Sequence, residues 1–139
     1  MITKYKVRFW IAGKSNTQDI DLDYLQRELN FENCRSRKRA DFPQGSIDAG
    51  VAGDEMSFEL QSNTAKSTSA MIDLLEDKIR TKVRKIRKLC DELDLETGVV
   101  IVIHKLSDEF SWSPLSQSNI QFLSSLDAHY ILDVYNDDL

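Results

Sequence analysis

The amino-acid sequence predicts an α+β fold, and three stretches carry this prediction. Residues 5–11 alternate apolar and polar side chains, residues 69–94 form a long amphipathic pattern, and residues 99–103 are continuously apolar. Strands with one apolar face need a covering layer, and a long helix with an apolar stripe supplies it. We therefore expect residues 1–139 to form a single domain in which helices cover a sheet.

The chain begins with a predicted strand and a predicted helix. Residues 5–11 place apolar side chains on one face and charged side chains on the other, with Trp10 as the exception on the polar face. After a turn, residues 19–30 predict a short helix. Its leucines recur at helical spacing, and acidic residues occupy the first turn, where they favour the helix N-terminus.

The next segment predicts an edge strand and a long loop. In residues 33–40 the side chains of Arg35, Arg37 and Arg39 point one way, and neither face is apolar, which is typical of a strand at the edge of a sheet. Residues 41–53 contain Pro43 and three of the five glycines, so we expect a flexible loop there.

A second alternating strand, residues 56–61, leads into the long helix predicted over residues 69–94. The basic side chains of this helix first suggest a functional surface. Acidic residues at both ends nearly neutralise them, so we interpret the helix as scaffold. Its apolar stripe comprises Met71, Ile72, Leu75, Ile79, Val83, Ile86, Leu89, Cys90 and Leu93.

Residues 99–103 lack alternation, which predicts a central strand that is covered on both faces. A turn follows over residues 107–113, then a shorter helix from Pro114 to about Asp127, a last strand over residues 130–135 and an acidic tail. The order is β-α-β-β-α-β with a further α-β. It predicts a ferredoxin-like split βαβ sandwich with an appended helix and strand, about five strands and three helices in all.

Composition restricts the class of protein. The chain has 139 residues, a formal net charge of −5 and two cysteines without CxxC spacing. These values are typical of a globular domain in a reducing compartment, and no apolar run has membrane length, so we expect a cytoplasmic protein without a membrane partner. The acidic net charge argues against a nucleic-acid partner.

Features along nearly the whole chain resemble the domain of unknown function 4279 family of small bacterial proteins. They are the first strand ending in residues 11–13 (IAG), the leucine-rich first helix, the basic segment after Asn33, residues 56–60 (MSFEL), the long helix, and residues 110–114 (FSWSP), 122–126 (FLSSL) and 133–135 (DVY). Where such proteins often show a Thr-x-x-x-x-x-Lys-Gly stretch, this chain has residues 34–40 (CRSRKRA). The resemblance implies a bacterial, intracellular α+β protein. Some relatives resemble immunity proteins of toxin systems, and the family implies no reaction, cofactor or catalytic residue.

No arrangement of residues predicts a metal or cofactor site. His104 and His129 lie far apart, and neither has a metal-ligand neighbour at the usual spacing. The glycines do not form a phosphate-binding loop. Cys34 lies beside Arg35, which would favour a thiolate. Cys90 falls in the apolar helix stripe and is expected in the core.

The leading functional hypothesis is a non-enzymatic protein-binding module, of the immunity type that sequesters a toxin. Aromatic side chains and arginines dominate interface energetics. The predicted binding residues are Trp10, Arg35, Arg37, Arg39, Trp112 and Tyr135.

Two alternatives remain open. One is a small-molecule-binding or regulatory domain that uses the sheet face opposite the helices around Trp10, His104 and Tyr135, as a monomer or across a homodimer. The other is an enzyme in which His104 acts as a general base oriented by Asp133. Stacking of RNA bases on Trp10 is disfavoured because Glu59 would repel phosphate.

Overall fold

Five strands form one mixed sheet in the computed structural model, which describes residues 4–65, 67–105 and 114–136. The predicted α+β class is confirmed. The strands are β1 (Lys4–Gly13), β2 (Arg35–Arg37), β3 (Glu55–Ser62), β4 (Leu95–Lys105) and β5 (His129–Asn136).

The sheet has the order β2-β3-β1-β4-β5. The first four of these strands are antiparallel to their neighbours, and β5 is added parallel to β4. A parallel neighbour requires a crossover connection, which the last helix of the chain supplies. Nothing in this order conflicts with the predicted ferredoxin-like arrangement and its appended helix and strand.

More helices are present than the three predicted, because one predicted helix is interrupted and one predicted loop contains a helical turn. In the described residues the helices are α1 (Leu22–Leu29), α2 (Gln44–Asp48), α3 (Thr68–Ile79), α4 (Val83–Leu93) and α5 (Gln117–Ser125). None of the helices in these parts of the chain is long and apolar enough to cross a membrane.

The prediction of one continuous helix over residues 69–94 is wrong, because a 3-10 turn over Arg80–Lys82 separates α3 from α4. The two helices contact different strands, α3 packing on β1 and β3 and α4 on β4. At the turn, the Lys82 ammonium donates to the carbonyls of Leu29 and Asn30 at the end of α1. The break therefore lets one sequence segment follow a twisted sheet and hold the end of a neighbouring helix.

The core lies between the helices and one face of the sheet. On β1 the side chains of Val7, Phe9 and Ile11 are fully buried, and Phe9 packs against the rings of Phe31 and Phe58 at 6.1 and 5.5 Å between ring centroids. The alternate residues of β1, from Lys6 to Ala12, are only half-buried. The helices therefore cover one face and leave the other open.

The apolar stripe predicted over residues 69–94 faces this core, except at Val83 and Leu93. Met71, Ile72, Leu75, Ile79, Ile86, Leu89 and Cys90 are buried. Val83 is half-buried, and Leu93 is 37% exposed at the end of α4.

The prediction that residues 99–103 are covered on both faces is wrong. Val99, Ile101 and Ile103 are buried against the helices, whereas Val100 and Val102 face the open side and are half-buried. The central strand of the sheet is β1, with β4 beside it. The residues on the helix side of this strand thus belong to the core, whereas the valines on its other side are only partly buried.

The predicted loop over residues 41–53 contains part of a 3-10 turn, Arg39–Asp41, and the short helix α2. The end of this segment is held in place by Asp54, whose side chain is buried and only 4% exposed. The Asp54 carboxylate accepts hydrogen bonds from the backbone amides of Ile20 (3.0 Å) and Arg39 (2.8 Å) and from the Lys38 ammonium (3.0 Å). Burial alone would raise the pKa of this carboxyl, but these hydrogen bonds outweigh burial and hold the pKa below its ordinary value.

A second buried polar residue, Asn119, joins α5 to α3. Its amide oxygen accepts from the Ser69 hydroxyl (2.6 Å) and from the backbone of Ser116 (3.1 Å), while its amide nitrogen donates to Asp73 (2.8 Å). Asn119 is fully buried, and both ends of its amide have partners. Such a satisfied group specifies how two helices dock.

The edge position of the arginine-rich strand is confirmed, because β2 pairs only with β3 among the described strands. It is shorter than predicted. Arg39 belongs to the 3-10 turn that follows and not to the strand.

Candidate interaction surface on the open sheet face

The open face of the sheet is defined by the residues that alternate with the core positions. Strand register places seven notable side chains on it, among them Trp10, His104 and Tyr135, which were expected on this face. The seven are Arg8, Trp10, Ser57, Glu59, His104, Asp133 and Tyr135.

Three arginines surround a cavity of about 460 Å³ at the β2 end of this face. Arg8 comes from β1, and Arg35 and Arg37 come from β2, where they are two residues apart and share a face. The alternation of β1 and β2 thus brings together guanidinium groups that are nearly 30 positions apart in the sequence. We refer to Arg8, Arg35 and Arg37 as the arginine cluster.

Two members of the arginine cluster are held by neighbours. The Arg8 guanidinium forms an ion pair of 2.6 Å with Glu55, and the Arg37 guanidinium lies 3.9 Å from the ring centroid of Phe42. Arg35 is exposed, and no ion pair is found for it in the described ranges. Arg35 is therefore the member whose charge is most available to a partner.

The walls of the cavity are mainly polar. Besides the arginine cluster they include Glu55, Glu59 and the buried residue Ser57. Three guanidinium groups against two carboxylates leave a local excess of positive charge in a protein of net charge −5. This arrangement can bind a carboxylate or a phosphate, since guanidinium groups match both in a bidentate manner.

Trp10 lies beside this cluster, in the cross-strand row that also contains Arg35 and Ser57. Its indole is half-buried and covers Gly98 of β4, whose missing side chain leaves the space. Beyond the glycine the indole stacks on His129, with ring centroids 6.1 Å apart and planes 11° apart. His129 is in turn 3.0 Å from Glu96.

His104 and Asp133, the suggested base and the group suggested to orient it, lie on the neighbouring strands β4 and β5 of the open face. His104 is in register with Tyr135, and the two rings stack at 5.1 Å. The Tyr135 hydroxyl donates to Asp133 at 2.8 Å, which raises the pKa of Tyr135. Asp133 thus orients Tyr135.

Neither cysteine has the environment of a reactive thiolate. Burial raises the pKa of the Cys34 thiol even though Lys78 and two backbone amides act in the opposite direction. The expected net lowering of the Cys34 pKa is therefore wrong, although the backbone amide of Arg35 acts in that direction. Burial raises the pKa of Cys90 to about 11, in agreement with its predicted place in the core.

The basic face of α3 and α4 is largely engaged in local ion pairs. Arg80 contacts Asp77 at 2.8 Å, and Lys85 contacts Glu28 of α1 at 3.2 Å. Arg87 contacts Asp91 at 3.0 Å. These contacts support the interpretation of this helical face as scaffold.

The six predicted binding residues do not form one site. Arg35, Arg37 and Trp10 lie at the same end of the open face, whereas Tyr135 lies on the opposite edge strand. Arg39 uses its backbone amide to bind Asp54. Trp112 falls outside the described residues.

The sequence did not single out Glu55, Gln61 or Asn33, which also line the cavity. Gln61 alternates with the core residues of the strand predicted over residues 56–61, and Glu55 falls on the same open face because β3 begins one residue earlier than predicted. Their closeness to β2 depended on the strand order. Within the parts of the chain that the structure describes, no group of three or more histidine, cysteine or acidic side chains has the geometry of a metal site.

Comparison with known proteins gives a family and no relative of known role. A search of curated proteins found no match, and a search of solved structures found none either. A family model described as "Domain of unknown function (DUF4279)" matches residues 3–137. The chain therefore belongs to the DUF4279 family, as its strand and helix patterns predicted.

Proposed function

We propose that this protein is a non-enzymatic protein-binding module, of the immunity type that sequesters a toxin, and that it binds an acidic surface of its partner. The observation that supports this proposal is the arginine cluster on a sheet face that the described helices leave open. Clustered charge of one sign accelerates and orients association with a surface of the opposite sign.

The composition of the surface also supports a protein partner. Arginine and tryptophan are enriched at the energetic centres of interfaces, and Trp10 lies two strands from Arg35 in the same row. Arg8 and Arg37 are held by Glu55 and Phe42, so little side-chain freedom is lost when they bind.

The immunity role rests on the family resemblance together with this charge arrangement. A protein that sequesters a toxin must associate rapidly, and electrostatic steering achieves this. An acidic patch on the toxin is the complement that Arg8, Arg35 and Arg37 would recognise.

Capture of the product of the neighbouring gene tests the proposal, since immunity proteins are encoded beside their toxins. We expect a stable complex and protection of cells in which both proteins are expressed. Failure of both capture and protection would exclude the immunity role.

Charge reversal then tests the surface. Arg35→Glu combined with Arg37→Glu should weaken binding by at least about tenfold, mainly through a slower association rate that depends on salt. Arg27→Glu combined with Arg84→Glu is the matched control, because it makes the same change in net charge at two exposed helical positions away from the open face. Equal weakening by the control would mean that net charge, and not this surface, controls binding.

A second candidate is a site for a small anionic molecule. The cavity of about 460 Å³ lies in the size range of small-molecule pockets, although its walls are more polar than most. Saturable NMR shifts at Arg8, Arg35 and Ser57 upon titration with citrate or phosphate would favour this candidate. Absence of such shifts at millimolar ligand would count against it.

A further inference from the structure

The edge strand β5 exposes a continuous apolar surface. Tyr130, Ile131, Leu132, Val134 and Tyr135 are between 37% and 49% exposed. Among the described residues β5 pairs only with β4, so its outer edge carries unpaired backbone groups. A long apolar edge strand of this kind is a template for pairing with another strand.

The opposite edge of the sheet, strand β2, is protected against pairing with another strand, in contrast to β5. Strand β2 has only three residues, and two of them are the charged residues Arg35 and Arg37. Short length and charge are the usual means of preventing edge pairing. Strand β5 has eight residues and a single charged side chain, Asp133.

The exposure of β5 arises because the described helices pack mainly on the preceding strands, with α3 on β1 and β3 and α4 on β4. Tyr130, Leu132 and Val134 are in register with Val99, Ile101 and Ile103, and they share the helix side of the sheet with them. The three β4 residues are completely buried, whereas their β5 partners are 37% to 45% exposed. The apolar layer therefore continues past the last covered strand.

We propose that a second copy of this chain pairs with β5 in antiparallel orientation, across a two-fold axis at Leu132, to form a ten-stranded sheet. In an antiparallel pair, opposite side chains share a face, so the axis must lie midway between one residue and its own copy in the second chain. An axis at Asp133 would place two carboxylates opposite each other, and an axis at Ile131 would shorten the pairing. The axis at Leu132 sets Leu132 against itself and Tyr130 against Val134.

The exposed area fits a dimer of modest affinity. With about 150–250 Å² for a fully exposed tyrosine side chain, the five side chains leave on the order of 400 Å² per copy. Complete burial of this area in two copies would amount to roughly 800 Å², so that with the paired backbones the interface reaches at most about the 1,000 Å² that a specific interface needs. The arginine clusters would lie at the two far ends of the extended sheet, so this inference does not depend on the proposed function.

Sedimentation equilibrium of the full chain tests the association. We expect the mass of two chains at about 100 µM, above the micromolar range in which an interface of this size associates. Leu132→Lys should shift the mass to that of one chain. Ile120→Lys is the matched control, since Ile120 is 56% exposed on α5 and its replacement should leave the dimer intact.

Disulfide cross-linking tests the register. Unlike lysine, a cysteine at position 132 is small and apolar, so it should leave the pairing of the two strands intact. In a Cys34→Ser background, Leu132→Cys should cross-link to itself under mild oxidation, and Ile120→Cys should not. A single-chain mass for the unmodified protein at all concentrations would overturn the proposal. So would a dimer that Leu132→Lys leaves unchanged, or equal cross-linking at positions 120 and 132.

Discussion

The indole of Trp10 occupies the space that a side chain at Gly98 would fill. A Cβ built on Gly98 would lie far inside van der Waals contact with the indole ring of Trp10. The two residues face each other across β1 and β4, and the indole extends over the glycine to stack on His129. Glycine is thus required here by a close approach of a neighbour, and not by its own backbone angles.

Gly98→Ala should destabilise the protein by about 1–2 kcal/mol, because the indole must leave its place and lose its contact with His129. Gly45→Ala is the control, since no atom lies within 4 Å of a Cβ at Gly45 and alanine favours helix α2. Urea unfolding followed by circular dichroism measures both. Combining Gly98→Ala with Trp10→Ala should remove most of the extra cost, and additive costs would contradict the steric explanation.

Asp54→Asn should lower the free energy of unfolding by about 2–4 kcal/mol, since it removes a buried charge that three donors stabilise. Asp19→Asn changes the same charge at an exposed position and should have an effect below about 0.5 kcal/mol. Chemical unfolding at pH 7 provides the comparison. Similar losses in both variants would show that the hydrogen bonds of Asp54 contribute little.

The pH dependence follows from the lowered pKa of Asp54. Because the folded-state pKa lies below the unfolded value of about 3.9, the carboxylate stabilises the native state above this pH. The contribution is lost as the pH falls through the folded pKa. Unmodified protein should therefore lose more stability than Asp54→Asn on acidification below about pH 4. Parallel stability curves for the two proteins would contradict this assignment.

Asn119→Ala should destabilise the docking of α5 on α3 by about 2 kcal/mol, because Ser69, Ser116 and Asp73 lose a buried partner. Ser118→Ala alters the exposed face of the same helix and serves as control. Thermal unfolding and hydrogen exchange in α5 measure the effect. Unchanged exchange rates in α5 would show that apolar packing alone positions this helix.

The thiol of Cys90 should react with Ellman's reagent at pH 8 only after unfolding, because the group is buried and its pKa is about 11. Cys34 is half-buried and should react earlier, although more slowly than a free cysteine, since its pKa is also raised. The variants Cys34→Ser and Cys90→Ser assign the two phases. A fast phase that survives in Cys34→Ser would contradict the burial of Cys90.

The sequence also predicted much of the open face, because strand alternation assigns each side chain to a face whatever the strand order. Arg8, Trp10 and Ser57 lie opposite the core as expected. The cavity itself depended on long-range pairing, since Arg37 of β2 meets Glu55 only when β2 docks beside β3. Local periodicity contains no information about which strands become neighbours.

The interruption of the long helix illustrates the same limit. The helical spacing of apolar residues continues from Ile79 to Val83, and residues 80–82 contain no proline or glycine, so nothing local predicted a break. The turn occurs where α3 leaves β1 and β3 and α4 begins to cover β4, and where Lys82 binds the end of α1. The Lys82 contacts join residues that are more than 50 positions apart.

By itself, the sequence determined the fold class, the family, the arginine-bearing edge strand and the face on which most candidate residues lie. These properties follow from alternation, helical periodicity and turn residues, which act over a few residues. Only the tertiary structure decided that Trp10 covers Gly98, that Asp133 accepts a hydrogen bond from Tyr135, and that β5 extends past the helices. Each of these depends on which distant segments pack together, and this packing sets what is covered and what is left open.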